Sequence, residues 1–455
     1  MQRAIKWGLR LTVALVALVA VGIGVVLVSP PDLLRVGTGY AAKIVCSNVF
    51  IAGRDADEVL RDDVQAPGHP LLKLVGVDVD LEGGLVRAAM LGIVAPAHAV
   101  YRTGLGCAVV AEADIGLARR LAAPVSEAVP ADEALAWPEG EAVPTPDPDL
   151  ADVLGDADLL GASARAVVVV KDGQIVGEAY GPGFNERTPL LGWSMTKTVT
   201  AALLGLLQGE GRIDLEARAL FPEWSGDARR EIALADLLAM QSGLRFNENY
   251  GDVTDVTRML YLEPDMGAYV ASLPSEAPPG TRFNYSSGET VLISRYWMSR
   301  FADQAEALAF PRRALFDALG MRSAVLEPDQ AGTFVGSSYL YATARDWARF
   351  GLLIAESGNW AGRQLLDPAF VARITEPSET SDGAYTRAQA WQNGPQGADN
   401  DFGLPEDTVW MLGHDGQSIA VIPSERLVVV RLGLTPRRLE YRPQRLVEAV
   451  RAALR

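Results

Sequence analysis

Ser194 and Lys197 stand three residues apart in Ser194-Met195-Thr196-Lys197. Positions i and i+3 of a helix share a face, so the hydroxyl and the amine would project together. A serine hydroxyl is a weak nucleophile until a neighbouring base takes its proton, and a desolvated lysine can be that base. Arginine cannot, because it keeps its proton near neutral pH. The chain uses arginine almost everywhere: of 41 Lys and Arg only five are lysine (Lys6, Lys43, Lys73, Lys171 and Lys197), and none follows Lys197. A lysine retained beside a serine points to nucleophilic catalysis.

The pair needs a rigid carrier. Residues 198–207 are apolar with small side chains, and Gly209 and Gly211 end the run. This pattern predicts a buried helix whose first turn holds Ser194, where free backbone N–H groups favour negative charge.

Two later segments carry further polar groups. One is Pro278-Pro279-Gly280-Thr281-Arg282-Phe283-Asn284-Tyr285-Ser286-Ser287-Gly288; the other is Gly413-His414-Asp415-Gly416-Gln417. A tyrosine or a histidine taken singly is more often structural. Taken in order, Ser-x-x-Lys, Tyr-x-Ser and His-x-Gly resemble the serine β-lactamase and penicillin-binding superfamily. More closely, the chain is similar to class C β-lactamase-like serine hydrolases, a group that includes esterases and 6-aminohexanoate-dimer hydrolases. The likeness covers roughly 160–440. It is supported by Leu190-Leu191-Gly192-Trp193-Ser194, by Asp236-Leu237-Leu238-Ala239-Met240-Gln241-Ser242-Gly243-Leu244, and by Tyr341-Ala342-Thr343-Ala344-Arg345-Asp346-Trp347.

The resemblance implies an α+β fold of the β-lactamase/transpeptidase kind. An antiparallel sheet would be built from both ends of the catalytic domain, flanked by helices, with a largely helical insert. It implies Ser194 as nucleophile, with Lys197 and Tyr285 taking and returning its proton. The backbone N–H groups of Ser194 and Gln417 would form the oxyanion hole, the second because it follows Gly416 on the edge strand. Ser287 and His414 would line the substrate site. No cofactor or metal is implied. Two positions depart from the family's pattern. Ser287 stands where β-lactamases commonly have Asn, and His414-Asp415-Gly416 replaces Lys-Thr-Gly. That lysine helps bind a substrate carboxylate, and an imidazole is largely neutral at pH 7. Esters or linear amides are therefore expected ahead of β-lactams.

Other chemistries fit less well. The chain has three histidines, His69, His98 and His414, and no Gly-x-Ser-x-Gly, which argues against a Ser-His-Asp triad. Zinc hydrolysis needs clustered ligands that scattered His and two Cys do not supply. A slowly acylating sensor or binding protein, or a cell-wall peptidase, remains as an alternative function. With 49% hydrophobic and 22% charged residues the chain is globular, and a net charge of −16 argues against a nucleic-acid surface.

At the N-terminus Arg3, Lys6 and Arg10 precede a mostly apolar stretch over 11–28, followed by Ser29-Pro30-Pro31. This predicts a single-pass anchor in the cytoplasmic (inner) membrane, with the remainder periplasmic or otherwise extracytoplasmic; a cleaved signal sequence is the other reading. Outside the cytoplasm Cys46 and Cys107 are expected to pair. The domains are then the anchor or signal over 1–29, a small extension with two Cys over 30–121, an Ala/Pro/acidic linker or strap over 122–158, and the hydrolase domain over 159–455. The extension carries a hairpin about Glu82-Gly83-Gly84. The hydrolase domain opens on a hairpin turning at Asp172-Gly173. A helix runs from a capping box at Thr343 to about Ser357, strands occupy 418–422 and 427–434, and a last helix occupies 443–454. The predicted gate is 246–275, with Tyr250, Tyr261 and Tyr269.

Overall fold

The computed structural model describes residues 2–122 and 133–455. Helix α1 covers Gln2–Val28. From Arg10 to Val28 its mean hydropathy is 2.9 and none of the span is buried; among the described residues it is the one helix long and apolar enough to cross a membrane. Pro30 and Pro31 break it, since proline removes a helical donor and pushes the preceding residue toward extended backbone.

Helix α2 (Asp32–Phe50) follows at once. Its lack of a clean amphipathic stripe hides it from sequence reading, and the reason is structural: it is buried on several sides. It packs on a four-stranded antiparallel sheet of β1 (Val75–Asp80), β2 (Leu85–Met90), β3 (Val94–Arg102) and β4 (Gly106–Val110). The β1–β2 hairpin turns over 81–84, as its glycines predict. Cys46 of α2 and Cys107 of β4 form a disulfide with Cα atoms 6.1 Å apart, so the expected pairing is present.

The catalytic portion is built on a second antiparallel sheet. Strands β5 (Ala164–Lys171) and β6 (Gln174–Tyr180) form the Asp-Gly hairpin. Helix α3 (Thr196–Gly209) carries Lys197, α4 (Ser287–Met298) follows Tyr285, and α5 (Ala344–Ala355) starts at its Thr343 cap. Strands β7 (Val409–Gly413), β8 (Gln417–Ile422) and β9 (Leu427–Gly433) precede the last helix, α6 (Pro443–Ala453). The strand order is β7-β8-β9-β5-β6. The two chain ends therefore meet in one sheet through the β9–β5 pair.

Both faces of that sheet are covered, which explains its run of valines. Val168, Val170, Ile419, Val421, Val428 and Val430 join the main core. The alternate residues, among them Val167, Val169, Ile422 and Val429, pack against Leu446, Val447 and Val450 of α6 on the other face. Helix α5 lies on the inner face at close range: a Cβ on Gly351 would sit 2.6 Å from Val428 Cγ1.

The segment read as linker or strap divides into parts. Residues 123–132 lie outside the described residues. Around Trp137 the chain is a strap, with the indole fully buried and Arg349 of α5 donating to the carbonyls of Pro138 and Gly140. Residues 148–160 fold into short helices, with Asp147 and Asp156 as N-caps, and Leu150 joins the outer core of the sheet. Such caps read as loop composition because Asp and Pro favour both.

One network binds the extension to the rest. Glu327 lies in the catalytic portion and is fully buried. Its carboxylate accepts from Lys43 Nζ at 2.5 Å, from Ser47 Oγ at 2.8 Å and from the Cys107 N–H at 2.6 Å. Removing one partner of a buried ion pair leaves an uncompensated charge. Lys43→Met is expected to cost about 3–5 kcal/mol of stability in urea unfolding. An unfolding curve that overlays the wild type contradicts this account of the network.

Candidate active site

Ser194 sits in a tight turn, Trp193–Met195, between a short strand and α3. Gly192 enters the turn with its N–H donating to Leu340 O, and a Cβ there would lie 2.2 Å from the Trp347 ring. Trp193 follows with φ of 49°, a left-handed conformation that costs a bulky residue on the order of 1–3 kcal/mol. That bend presents Ser194 at the helix start, where part of its surface stays exposed.

Lys197 is fully buried. Its Nζ lies 3.0 Å from Ser194 Oγ, 2.9 Å from Ser287 Oγ and 3.0 Å from the Ser337 carbonyl oxygen. Ser287 has one hydroxyl proton, and it is given to Glu248 Oε1 at 2.5 Å, while the Ser287 N–H donates to Glu248 Oε2 at 2.8 Å. Ser287 Oγ must therefore accept from Lys197. A neutral amine has two N–H donors and one lone pair. Ser287 and Ser337 take the two donors, and the lone pair is left facing Ser194.

The electrostatics agree with this arrangement. Burial lowers the Lys197 pKa to about 8, against the opposing charge of Glu248. Burial raises the Glu248 pKa, while Lys197 and the Ser287 bonds hold it down. Tyr285 lies against the same amine, with Nζ 4.9 Å from its ring centroid. Burial and then Glu248 raise the phenol's pKa, and Ser194 opposes the rise. Tyr285 is thus a neutral phenol at ordinary pH, and Lys197 is the group poised to exchange a proton. Trp391 and Tyr385 pack on the Tyr285 ring at 5.1 and 5.7 Å.

The Gly413–Gln417 region differs from the sequence expectation. The edge strand facing Ser194 is β7, not the strand that Gln417 opens. Gln417 lies in β8, between β7 and β9, and its side chain is spent internally. Nε2 donates to His414 O and Gly433 O, and Oε1 accepts from the Gly433 N–H. Gly413, its partner in the β7–β8 register, stands between Gln417 and the nucleophile turn. His414-Asp415-Gly416 is the turn after β7, since Asp415 has φ of 56° and Gly416 φ of 87°, which an extended strand does not admit. Gly416 serves that turn, its carbonyl taking an N–H from Arg431. The residue that meets the nucleophile turn is Gly413: a Cβ there would lie 2.2 Å from the Gly192 carbonyl oxygen. The His414 ring lies tilted against Tyr250 at 4.7 Å and edge-on to Trp193 at 5.5 Å.

The predicted gate contributes two of its three tyrosines, Tyr250 at the site and Tyr261 in the lining of the cavity beside it. Tyr261 also packs edge-on to Tyr40 of α2, while Tyr269 donates to Asp255. Glu248, two residues before Tyr250, is the residue the sequence concealed. It is one of 57 acidic side chains, in a polar loop with no spacing to mark it.

Residues 150–452 match the beta-lactamase family. The chain belongs to that family. Membership makes it a serine hydrolase of the β-lactamase fold. It is 27% identical over 299 residues to the 6-aminohexanoate-dimer hydrolase of Paenarthrobacter ureafaciens, covering 60% of this chain and 72% of that one. Two solved structures share the fold. A family VIII carboxylesterase is 17% identical, covering 68% of this chain and 98% of its own, with a TM-score of 0.51. A penicillin-binding protein homolog from Caulobacter crescentus is 16% identical, covering 68% and 99%, also with a TM-score of 0.51. In this beta-lactamase family member, the Ser-x-x-Lys and Tyr-x-Ser segments converge on one amine, as their order in the sequence predicts, and the His-x-Gly segment adjoins them through Gly413.

A base with a pKa of about 8 sets the pH profile. The neutral amine is the active form, so kcat/KM should rise about tenfold per unit as pH climbs toward 8 and level off above it. Glu248→Gln removes the charge that favours the ammonium, so the rising limb should move to lower pH. A limb that stays in place in that variant contradicts the coupling.

Proposed function

We propose that this protein is a membrane-anchored, extracytoplasmic hydrolase that cleaves an ester or linear amide through an acyl-enzyme on Ser194. The observation that carries the reading is the buried Lys197 amine 3.0 Å from Ser194 Oγ, with its remaining partners fixed by Ser287 and Ser337. Ser194 Oγ attacks the carbonyl carbon as its proton passes to the Lys197 nitrogen. The carbonyl π-electrons move onto oxygen. That oxyanion is received by the Ser194 N–H and, in place of Gln417, by the His414 N–H, the first donor past the close contact of Gly413 with Gly192. When the tetrahedral species collapses, the leaving group departs with a proton relayed through Tyr285. Water then repeats the sequence in reverse, with Lys197 as base, and frees Ser194.

Two features favour uncharged esters and amides over β-lactams. The His-Asp-Gly turn places no lysine beside the substrate, and the wall at His414 is aromatic, made with Tyr250 and Trp193. The 6-aminohexanoate-dimer hydrolase and the carboxylesterase among its relatives support the same bond classes. The apolar, unburied helix α1 and its basic start support the anchor.

Labelling with a fluorophosphonate and hydrolysis of a nitrophenyl ester by the full-length protein test the reading. Ser194→Ala should abolish both. Lys197→Arg should be nearly as damaging although the charge is kept, and Tyr285→Phe should cost about two to four orders of magnitude in rate. The wild type should prefer the ester to nitrocefin at neutral pH. A Lys197→Arg protein with near wild-type rate ends the lysine-base account. The anchor has its own measurement: the protein should stay with membranes through high-salt and carbonate washing, and a soluble form beginning between residues 29 and 45 would mean a cleaved signal instead.

A further inference from the structure

A cavity of about 420 Å³ opens beside the Ser194 site, within the roughly 300–1,000 Å³ usual for small-ligand pockets. Its outer wall belongs to the N-terminal extension. Leu33, Val36, Gly37 and Tyr40 line it from α2, and their spacing of i, i+3, i+4 and i+7 places them on one helix face. Gly37 lets Leu72 and Met90 pack close to that face: a Cβ there would press on Leu72 Cδ2 and Met90 Cε, both at 3.3 Å. The inner wall belongs to the active site. Trp193 directly precedes Ser194, His414 follows the edge strand, and Tyr250 interacts with the Ser287 hydroxyl that contacts Lys197.

We propose that this cavity takes the apolar chain of the ester or amide substrate, so that the extension and the hydrolase portion each supply half of the substrate site. The proposal rests on the hydrolase reading above. The occupant follows from the walls. Aliphatic side chains of the extension face the aromatic pair Trp193 and Tyr250, and a chain lying between them would start beside Trp193, the residue before Ser194, and run toward α2. The extension is held rigidly enough to form such a wall. Gly39 lets α2 approach the Tyr261 backbone, where a Cβ would lie 3.0 Å from its carbonyl oxygen. Lys43 sits over the Tyr339 ring at 4.0 Å, and Tyr339 in turn packs against Trp193 at 6.3 Å. The family's matched region begins at residue 150, so this wall lies outside it. Chain-length preference should accordingly be a property of this protein's extension rather than of its catalytic fold.

The test uses the full-length protein in detergent micelles and a series of nitrophenyl esters from acetate to decanoate. kcat/KM should rise by about fourfold for each methylene that enters the cavity, until the cavity is filled. Leu71 also lines the cavity from the extension, and Leu71→Trp, which fills it from that side, should lower the octanoate-to-acetate ratio about tenfold or more. A flat series, or a rise that survives Leu71→Trp, overturns the proposal. A second measurement does not need turnover. A decanoyl ester bearing a diazirine is photolysed with Ser194→Ala, and the crosslinks are mapped by mass spectrometry. Crosslinks on residues 33–40 and 67–72 support the cavity; crosslinks confined to the α1 helix overturn it. The two readings fail separately. Crosslinks in the cavity with no ester hydrolysed by the wild type would retire the hydrolase reading and keep the cavity. Acetate hydrolysis with a flat series and no cavity crosslinks would do the reverse.

Discussion

Burying the amine of Lys197 is the constraint on which the site depends. An ammonium loses hydration in the protein interior, and the loss lowers its pKa toward neutrality. The fold tolerates the group because every one of its hydrogen-bonding positions has a partner, and those partners come from distant parts of the chain. Ser194 precedes it by three residues, Ser287 opens α4, and Ser337 offers a carbonyl from the segment before α5. Glu248 then sets how much of the charge survives, through Ser287. The arrangement fixes direction as well as proximity. With two acceptors satisfied, the remaining lone pair has one place to point.

The same economy extends outward from the turn at Ser194. Gly192 and Gly413 are both places where no side chain fits, one beneath Trp347 and the other against the Gly192 carbonyl. They let the edge strand β7 and the nucleophile turn come into main-chain contact, which is the geometry an oxyanion hole requires. Gln417 supports that contact from behind, by tying the 414–416 turn to β9. Its role is structural for a topological reason. A residue on the second strand of a sheet is flanked on both sides, and its backbone cannot face a neighbour across the sheet edge.

The N-terminal extension is tied to this centre at several levels. A disulfide closes it, the Glu327 network anchors it, and aromatic contacts carry it to Trp193. The buried side chains of α2 and most of those on its sheet belong to the same hydrophobic core as those of the catalytic portion, while Val100, Ala108, Val110 and Ala118 form a small cluster of their own. A segment joined in this way moves with the site rather than hanging from it.

Local chemistry was readable without coordinates. The helix after Ser194, the Asp-Gly hairpin and the valine strands of the sheet depend on periodicity and turn residues that act over a few positions, and they appear as read. Ser194 itself, however, sits in the turn before its helix, and Thr343 caps its helix without the reciprocal bond of a capping box, its N–H going to Ser323. The order of Ser194, Lys197, Tyr285 and Ser287 in the chain also carried through, because a shared sequence pattern reports a shared fold. Other features depend on contacts between segments that sequence spacing does not encode. Helix α2 is buried from several directions and shows no simple stripe. Glu248 matters only because its loop meets Ser287. Tyr261 and Tyr269 look like Tyr250 in the sequence, yet one supports α2 and the other caps a polar contact. The edge of the sheet was decided by β7, whose pairing with β8 moved the strand boundary to Gly413 and took Gln417 out of the site. Residue types determined which reaction the chain is able to attempt. Long-range packing decided which of those residues meet, because burial, strand order and the direction of a lone pair exist only once distant segments are in contact.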